Sequence, residues 1–319
     1  MGKKVSDEDF IAAWKQLGSA SKLSKLLDMN IRTVYQRRER LEQKGFELPS
    51  FFDPNKSKFT QTIIPEDRRV IHHEVDTGHV FVASDCHYWP GESTVAHKAF
   101  IKLINDFKPK TIILNGDVFD GARISRHDPL YGTNPPTVKQ EIEVCRDRLD
   151  EIKNASKNAK TFWTFGNHDV RLYRYIAVNA PELSDTLDLF DYFPGWHTSW
   201  AVEINKSTVV KHRWHNGIHA TYNNALKSML NINQGSAAIV TGHLHRLMVN
   251  NWRGYSGVAY GVDSGSLADP KSEQFAYLEH NPTPWASGFA VLTFDKGRLL
   301  PPELCEVIDG VAYFRGKRV

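Results

Sequence analysis

The chain has 319 residues, 41% of them hydrophobic, with 40 basic side chains against 37 acidic ones. That length and composition allow a substantial core in one large domain or two, and exclude a disordered or fibrous protein. No apolar run approaches the roughly 18–20 residues that cross a bilayer, the charged N-terminus lacks a signal-type stretch, and three cysteines make no disulfide framework, so a cytoplasmic location without membrane contact is expected.

Residues 1–48 hold ten Lys/Arg against seven Asp/Glu, so the whole positive excess lies in this piece. It reads as three short helices. Ser6 followed by Asp7, Glu8 and Asp9 is a helix start, and Phe10, Ile11, Trp14 and Leu17 recur at helical spacing. Gly18-Ser19 breaks the run, Leu23, Leu26 and Leu27 mark a second helix, and Ile31, Val34, Tyr35 and Leu41 mark a third. The turn at Asp28-Met29-Asn30 between the last two resembles a helix-turn-helix, with Asp28 where a glycine is usual. Arg32, Thr33, Gln36, Arg37 and Arg40 on the third helix are candidate DNA contacts. The other reading of this piece is a packing or protein-contact domain with a solvated charged face.

Residues 49–78 read as a linker, because Pro49, Pro54 and Pro65 interrupt any helix. Within it, Phe59 to Ile64 has the character of an edge strand. From residue 79 to 319 the chain alternates strands and helices. His79–Ser84, Thr111–Leu114, Thr161–Phe165 and Ser236–Val240 are short apolar runs that read as buried strands. Thr94–Asp106 and Val138–Asn158 are the clearest helices, and β-like runs return at Gly257–Tyr260, Phe289–Phe294 and Glu306–Ile308. The expected class is α/β: two packed mixed β-sheets flanked by helices, preceded by the small all-α domain.

Each of the four early strands runs into a polar motif: Asp85-Cys86-His87, Gly116-Asp117-Val118-Phe119-Asp120, Gly166-Asn167-His168-Asp169 and Gly242-His243-Leu244-His245. Ligands collect beyond the carboxyl ends of strands in an open α/β sheet, so the four motifs point at one place. Oxygen and imidazole donors suit Mn, Fe, Zn or Ni better than Ca or Mg. Two such ions about 3.5–4 Å apart clamp the attacking and leaving oxygens of a phosphoryl transfer. Taken singly, Asp85, Asp117 and Asn167 read equally well as turn or cap residues; the ordered set is what points to metal.

The set resembles the calcineurin-like metallophosphoesterases, whose pattern is D-x-H, G-D-x-x-D, G-N-H-[D/E], a lone His, then G-H-x-H. The resemblance covers roughly residues 79–300. It implies one metal held by Asp85, His87, Asp117 and His245, and a second held by Asp117, Asn167, His215 and His243. It further implies a hydroxide nucleophile activated by both ions, an unligated catalytic His168, and Asp120 orienting that histidine. Where many members read D-R-G, this chain reads Asp120-Gly121-Ala122-Arg123; Arg123 and Arg171 are the candidate phosphate contacts. The lone His is assigned to His215, which ends the run from Thr208 to Trp214; His219 is the runner-up, and His212 ranks last because it lies inside that run.

The plan of the whole chain is similar to calcineurin-like proteins encoded by tailed bacteriophages, which places it in the bacterial host cytoplasm. The expected activity is a Mn-dependent phosphodiesterase or nuclease acting on DNA. The alternative is a phosphomonoesterase or small-nucleotide phosphodiesterase. A DNA-binding regulator with a relic metal site is disfavoured by the completeness of the ligand set.

Overall fold

The computed structural model describes residues 5–17, 20–48, 68–127, 132–184, 186–214, 237–254, 257–279 and 281–319. The expected edge strand at Phe59–Ile64 lies outside them, as do His215 and His219. The chain forms two compact units, Met1–Pro65 and Glu66–Val319.

The first unit contains α1 (Asp7–Leu17), α2 (Ala20–Leu26) and α3 (Ile31–Gln43). The Ser6 hydroxyl accepts the Asp9 N–H at 3.0 Å and so caps α1. Asn30 caps α3 through the Arg32 N–H at 2.9 Å. Asp28 takes the left-handed conformation (φ 50°) in the turn, the conformation that favours glycine there. Phe10, Trp14, Leu23, Val34 and Leu41 close the core of this unit.

The second unit begins with β1 (Val70–His73), a strand inside the segment read as linker from sequence. In chain order follow β2 (Gly78–Ala83), α4 (Val95–Phe107), β3 (Thr111–Asn115), α5 (Val138–Ala155), β4 (Lys160–Thr164), α6 (Arg171–Asn179), β5 (His197–Ser199), β6 (Ala201–Ile204), β7 (Thr208–Val210) and β8 (Ala237–Thr241). The chain ends with β9 (Leu247–Gly254), β10 (Gly257–Ser264), β11 (Gly288–Asp295), β12 (Arg298–Leu299), β13 (Glu303–Ile308), β14 (Val311–Phe314) and β15 (Lys317–Arg318). One sheet has the order β1-β6-β7-β8-β10-β9; the other runs β15-β14-β13-β11-β2-β3-β4-β5, with β12 on β11. Strands β2 to β5 pair in parallel, as do β7, β8 and β10; β11 is antiparallel to β2. Both sheets are therefore mixed, as expected.

The two sheets share one core. Val80 and Val82 of β2, Ile113 of β3 and Phe162 of β4 meet Val202, Val210, Val240 and Val262 of the other sheet. The alternate residue Phe81 faces the other way, 6.0 Å from the ring of Phe100 on α4. Strands buried on both faces need apolar side chains at every position, which is why these runs read as unbroken apolar stretches. Each fully buried side chain of this kind contributes about 1.5–3 kcal/mol.

Candidate metal centre

Asp85 and His87 follow β2, Asp117 follows β3, Asn167 and His168 follow β4, His212 follows β7, and His243 and His245 follow β8. All lie past the carboxyl ends of parallel strands. Three groups of potential ligand atoms result among the described residues, Asp85–His87–His245, Asp117–His212–His243 and His87–Asp120–His168, each with its atoms within 4.8 Å of one another. The first two draw from both sheets.

The backbone is shaped for this. Asp85, His87, Asp117, His243 and His245 all have left-handed φ, between 40° and 73°. This conformation costs an ordinary residue on the order of 1–2 kcal/mol, and such outliers cluster at functional sites. The flanking buried strands hold them. Close packing also explains two motif glycines. A Cβ on Gly116, itself at φ 80°, would overlap the His212 ring, and one on Gly166 would overlap the Asp117 carboxylate.

Several buried polar atoms of these residues are unpaired. Asp85 Oδ1, Asn167 Oδ1 and His212 Nε2 are buried without a hydrogen-bond partner, although buried polar atoms are almost always paired. His212 donates from Nδ1 to the Asn115 carbonyl at 2.7 Å, which leaves Nε2 facing Asp117 Oδ2 at 3.1 Å. His87 donates from Nδ1 to Asp120 Oδ1 at 2.8 Å, which leaves its Nε2 3.3 Å from Nε2 of His245. His245 Nε2 in turn lies 3.2 Å from Asp85 Oδ1. Lone pairs gathered this closely need positive charge between them. The residues present therefore fit a pair of divalent cations.

Without metal, protons on the histidines supply part of that positive charge. Burial alone would raise the Asp85 carboxyl, but the His245 and His212 charges outweigh it and hold it at about 2. Asp117 also lies well below the usual carboxylate range; burial opposes, and His212 and His168 prevail. Burial would lower His212, yet Asp117 and Asp85 bring it up to about 9. His243 is pushed down to about 4 by burial and by the neighbouring His212.

Asp169 is the hub of the loops. Its carboxylate accepts the backbone N–H groups of Asp117, Val118, Phe119 and Gly166 at 2.8–3.1 Å, and the Trp163 indole N–H at 3.1 Å. It thus fixes the second motif against the third. Asp85 Oδ2 accepts the His243 N–H at 2.8 Å, which ties the first motif to the last.

The family then follows from the sequence itself. The profile of calcineurin-like phosphoesterases matches residues 78–258, more than half of the chain. The chain belongs to that family. This phosphoesterase is 28% identical over 228 residues to the Gene 54 protein of Mycobacterium phage L5 and 27% identical over 227 residues to that of phage D29. Both matches span 67% of the chain and 88% of the relative. Among solved structures, a zinc complex of Vps29 from Entamoeba histolytica is similar at TM-score 0.42 and 16% identity, covering 76% of this chain and 98% of Vps29. A dimetal phosphatase from Danio rerio is similar at TM-score 0.40 and 11% identity, covering 77% and 98% respectively.

Of the residues singled out from the phosphoesterase sequence, Asp85, His87, Asp117, Asp120, His168, His243 and His245 come together in these groups. His212, ranked last in the sequence reading, stands beside Asp117 and His243. The reason is the shortness of β7, which ends at Val210, so His212 lies past the strand rather than within it. Arg171 donates to the Asp120 carbonyl at 2.9 Å and to His168 Nε2 at 3.0 Å. Arg123 instead donates to the Pro135 carbonyl and to Asn134 Oδ1. In the N-terminal unit, Arg37 binds Asp7 and the Val5 carbonyl and lies over the Phe10 ring, while Arg40 also binds Asp7. Arg32, Thr33 and Gln36 are exposed. No helix among the described residues is long and apolar enough to cross a membrane.

Proposed function

We propose that this protein is a dinuclear metal-dependent phosphodiesterase or nuclease that acts on DNA. The observation that carries the metal assignment is the set of unpaired, buried atoms on Asp85, Asn167 and His212. In this reading Asp85, His87 and His245 hold one ion. Asn167, His212 and His243 hold the other, and Asp117 serves both. The oxygen and imidazole donors favour Mn, with Fe, Zn or Ni also accepted. When bound, the ions activate water and polarise the phosphoryl oxygens.

The remaining chemistry belongs to side chains. Asp120 Oδ1 accepts from His168 Nδ1 at 2.8 Å, which fixes the orientation of the ring and leaves Nε2 to accept from Arg171. Once Arg171 turns to the phosphate, that Nε2 would be free to carry a proton to the departing ester oxygen. Arg171, bonded to the same Nε2, is the cation placed to meet a phosphoryl oxygen. The exposed face of α3, with Arg32, Thr33 and Gln36, would deliver DNA through phosphate and base-edge contacts.

The test compares hydrolysis of bis-p-nitrophenyl phosphate and p-nitrophenyl phosphate by chelator-stripped protein with Mn restored, and Asp117→Asn as control. Dominant diester turnover supports the proposal; dominant monoester turnover rejects it. Plasmid cleavage by an Arg32→Ala/Gln36→Ala double variant then tests delivery: lost DNA cleavage with retained turnover of the small diester is expected.

A second reading is a phosphomonoesterase or small-nucleotide phosphodiesterase whose N-terminal unit serves packing or protein contacts. It is favoured by the internal use of Arg37, whose side chain is only 17% exposed and is held by Asp7.

A further inference from the structure

An aromatic wall borders the first ligand group. The Trp285 ring lies 4.1 Å from that of His245. Phe275 stands edge-on to His87 and at a steep angle to His245, at 5.7 Å from each, and 5.1 Å from Trp285. Phe275 is buried, so its duty is to pack against the two histidines. Tyr277 is different. Its ring stands 6.2 Å from Phe275, roughly perpendicular to it, and the residue is 55% exposed. Its hydroxyl makes no hydrogen bond recorded among the described residues. A half-exposed aromatic ring that meets Phe275 alone among the described aromatic rings, held by a wall that touches two candidate ligands, is placed to receive something.

We infer that Tyr277 is a stacking platform for the base of a nucleotide or nucleic-acid ester whose phosphate is held at the adjoining ligand groups. The inference rests on the phosphoesterase reading and narrows its substrate class. The surroundings of Tyr277 fit the assignment. Burial pushes its phenol above the ordinary range, with Asp120 adding to the shift and Arg171 opposing it. A planar group one ester bond from the phosphorus would lie over this ring while the phosphate meets Arg171. Base-on-aromatic stacking is sequence-tolerant, since every base has a π-face. An aliphatic group would gain no such contact.

The experiment uses the full chain and two diesters with one leaving group, thymidine 5′-(p-nitrophenyl phosphate) and ethyl p-nitrophenyl phosphate. The ratio of kcat/KM for the thymidine ester over the ethyl ester is expected to fall about tenfold or more in Tyr277→Ala and to persist in Tyr277→Phe. In parallel, calorimetry compares the binding of thymidine 5′-monophosphate with that of inorganic phosphate, and the same substitution is expected to reduce that affinity ratio. Unchanged ratios in Tyr277→Ala, or equal losses on both members of each pair, would overturn the platform while leaving the phosphoesterase reading intact. Silence on both esters, with the thymidylate preference still dependent on Tyr277, would support the platform and count against the hydrolytic reading instead.

Discussion

Asp120 holds two histidines with one oxygen. Its Oδ1 accepts from Nδ1 of His87 and from Nδ1 of His168, both at 2.8 Å. Burial opposes its charge, but the bonds to His168 and His87 keep the carboxyl below the usual range. An acceptor-only oxygen fixes the proton of each ring at Nδ1 and leaves both Nε2 atoms for other work. The first lies 3.3 Å from Nε2 of His245, and the second accepts from Arg171.

Asp120→Asn should therefore affect both tasks. Loss of such a supporting partner costs roughly 10–100-fold in metal affinity or activity. The expected result is a drop of that size in diester turnover, with a smaller loss of bound metal measured by elemental analysis. Full rate and full metal content would refute the double role.

His168→Ala should separate chemistry from metal binding. A positioned general acid contributes about 10²–10⁴-fold, so turnover should fall in that range while metal content stays near that of the unaltered chain. Metal lost in proportion to rate would make His168 a ligand.

Asp117→Asn should lose metal and activity together, since one carboxylate is assigned to both ions. A variant that keeps two metals per chain at full rate would refute the assignment.

His212→Ala and His215→Ala form a paired comparison. His212 Nε2 faces Asp117 at 3.1 Å, so its removal should reduce bound metal towards one ion per chain, whereas His215→Ala should keep two. The reverse pattern in elemental analysis would restore the ranking made from sequence.

Glu141 gives a pH prediction. It accepts the N–H groups of Gly121 and Ala122 at 2.5 and 3.0 Å, and burial, with Asp120 adding to it, pushes it from 4.5 up to about 8. Between those values the folded chain keeps a proton that the unfolded chain has lost. The contribution is fully present below pH 4.5 and is lost as pH rises through about 8. Thermal unfolding of metal-free protein should show a falling Tm across that window, and Glu141→Gln should flatten the slope. Identical slopes would remove Glu141 from the explanation.

The four strands that run into the motifs were legible because β2, β3, β4 and β8 are buried on both faces and so are largely apolar. Their ligands come attached to motifs. His212 carries no motif, and β7 is three residues long, too short for period alone to mark its end. The partner of Arg37 is Asp7, thirty residues upstream, so the helix face read as free for DNA is partly spent on holding α3 to the start of α1. Tyr277 lies in a 3₁₀ segment, Glu273–Leu278, where neither a two-residue nor a 3.6-residue period applies. Its place against Phe275, the ring that packs on His87 and His245, arises from tertiary packing.

Two of the ligand groups take residues from both sheets: Asp85 and His87 from one with His245 from the other, and Asp117 from one with His212 and His243 from the other. An ion in either group would thus be a cross-link between two layers that are otherwise joined by apolar contact and by a few hydrogen bonds such as those of Asp85 to His243 and His212 to Asn115. The layers must be seated before the donors can converge, and pulling them apart must release the ion. Metal uptake should report the final closure of the sandwich, and chelation should loosen the seam along its polar end first.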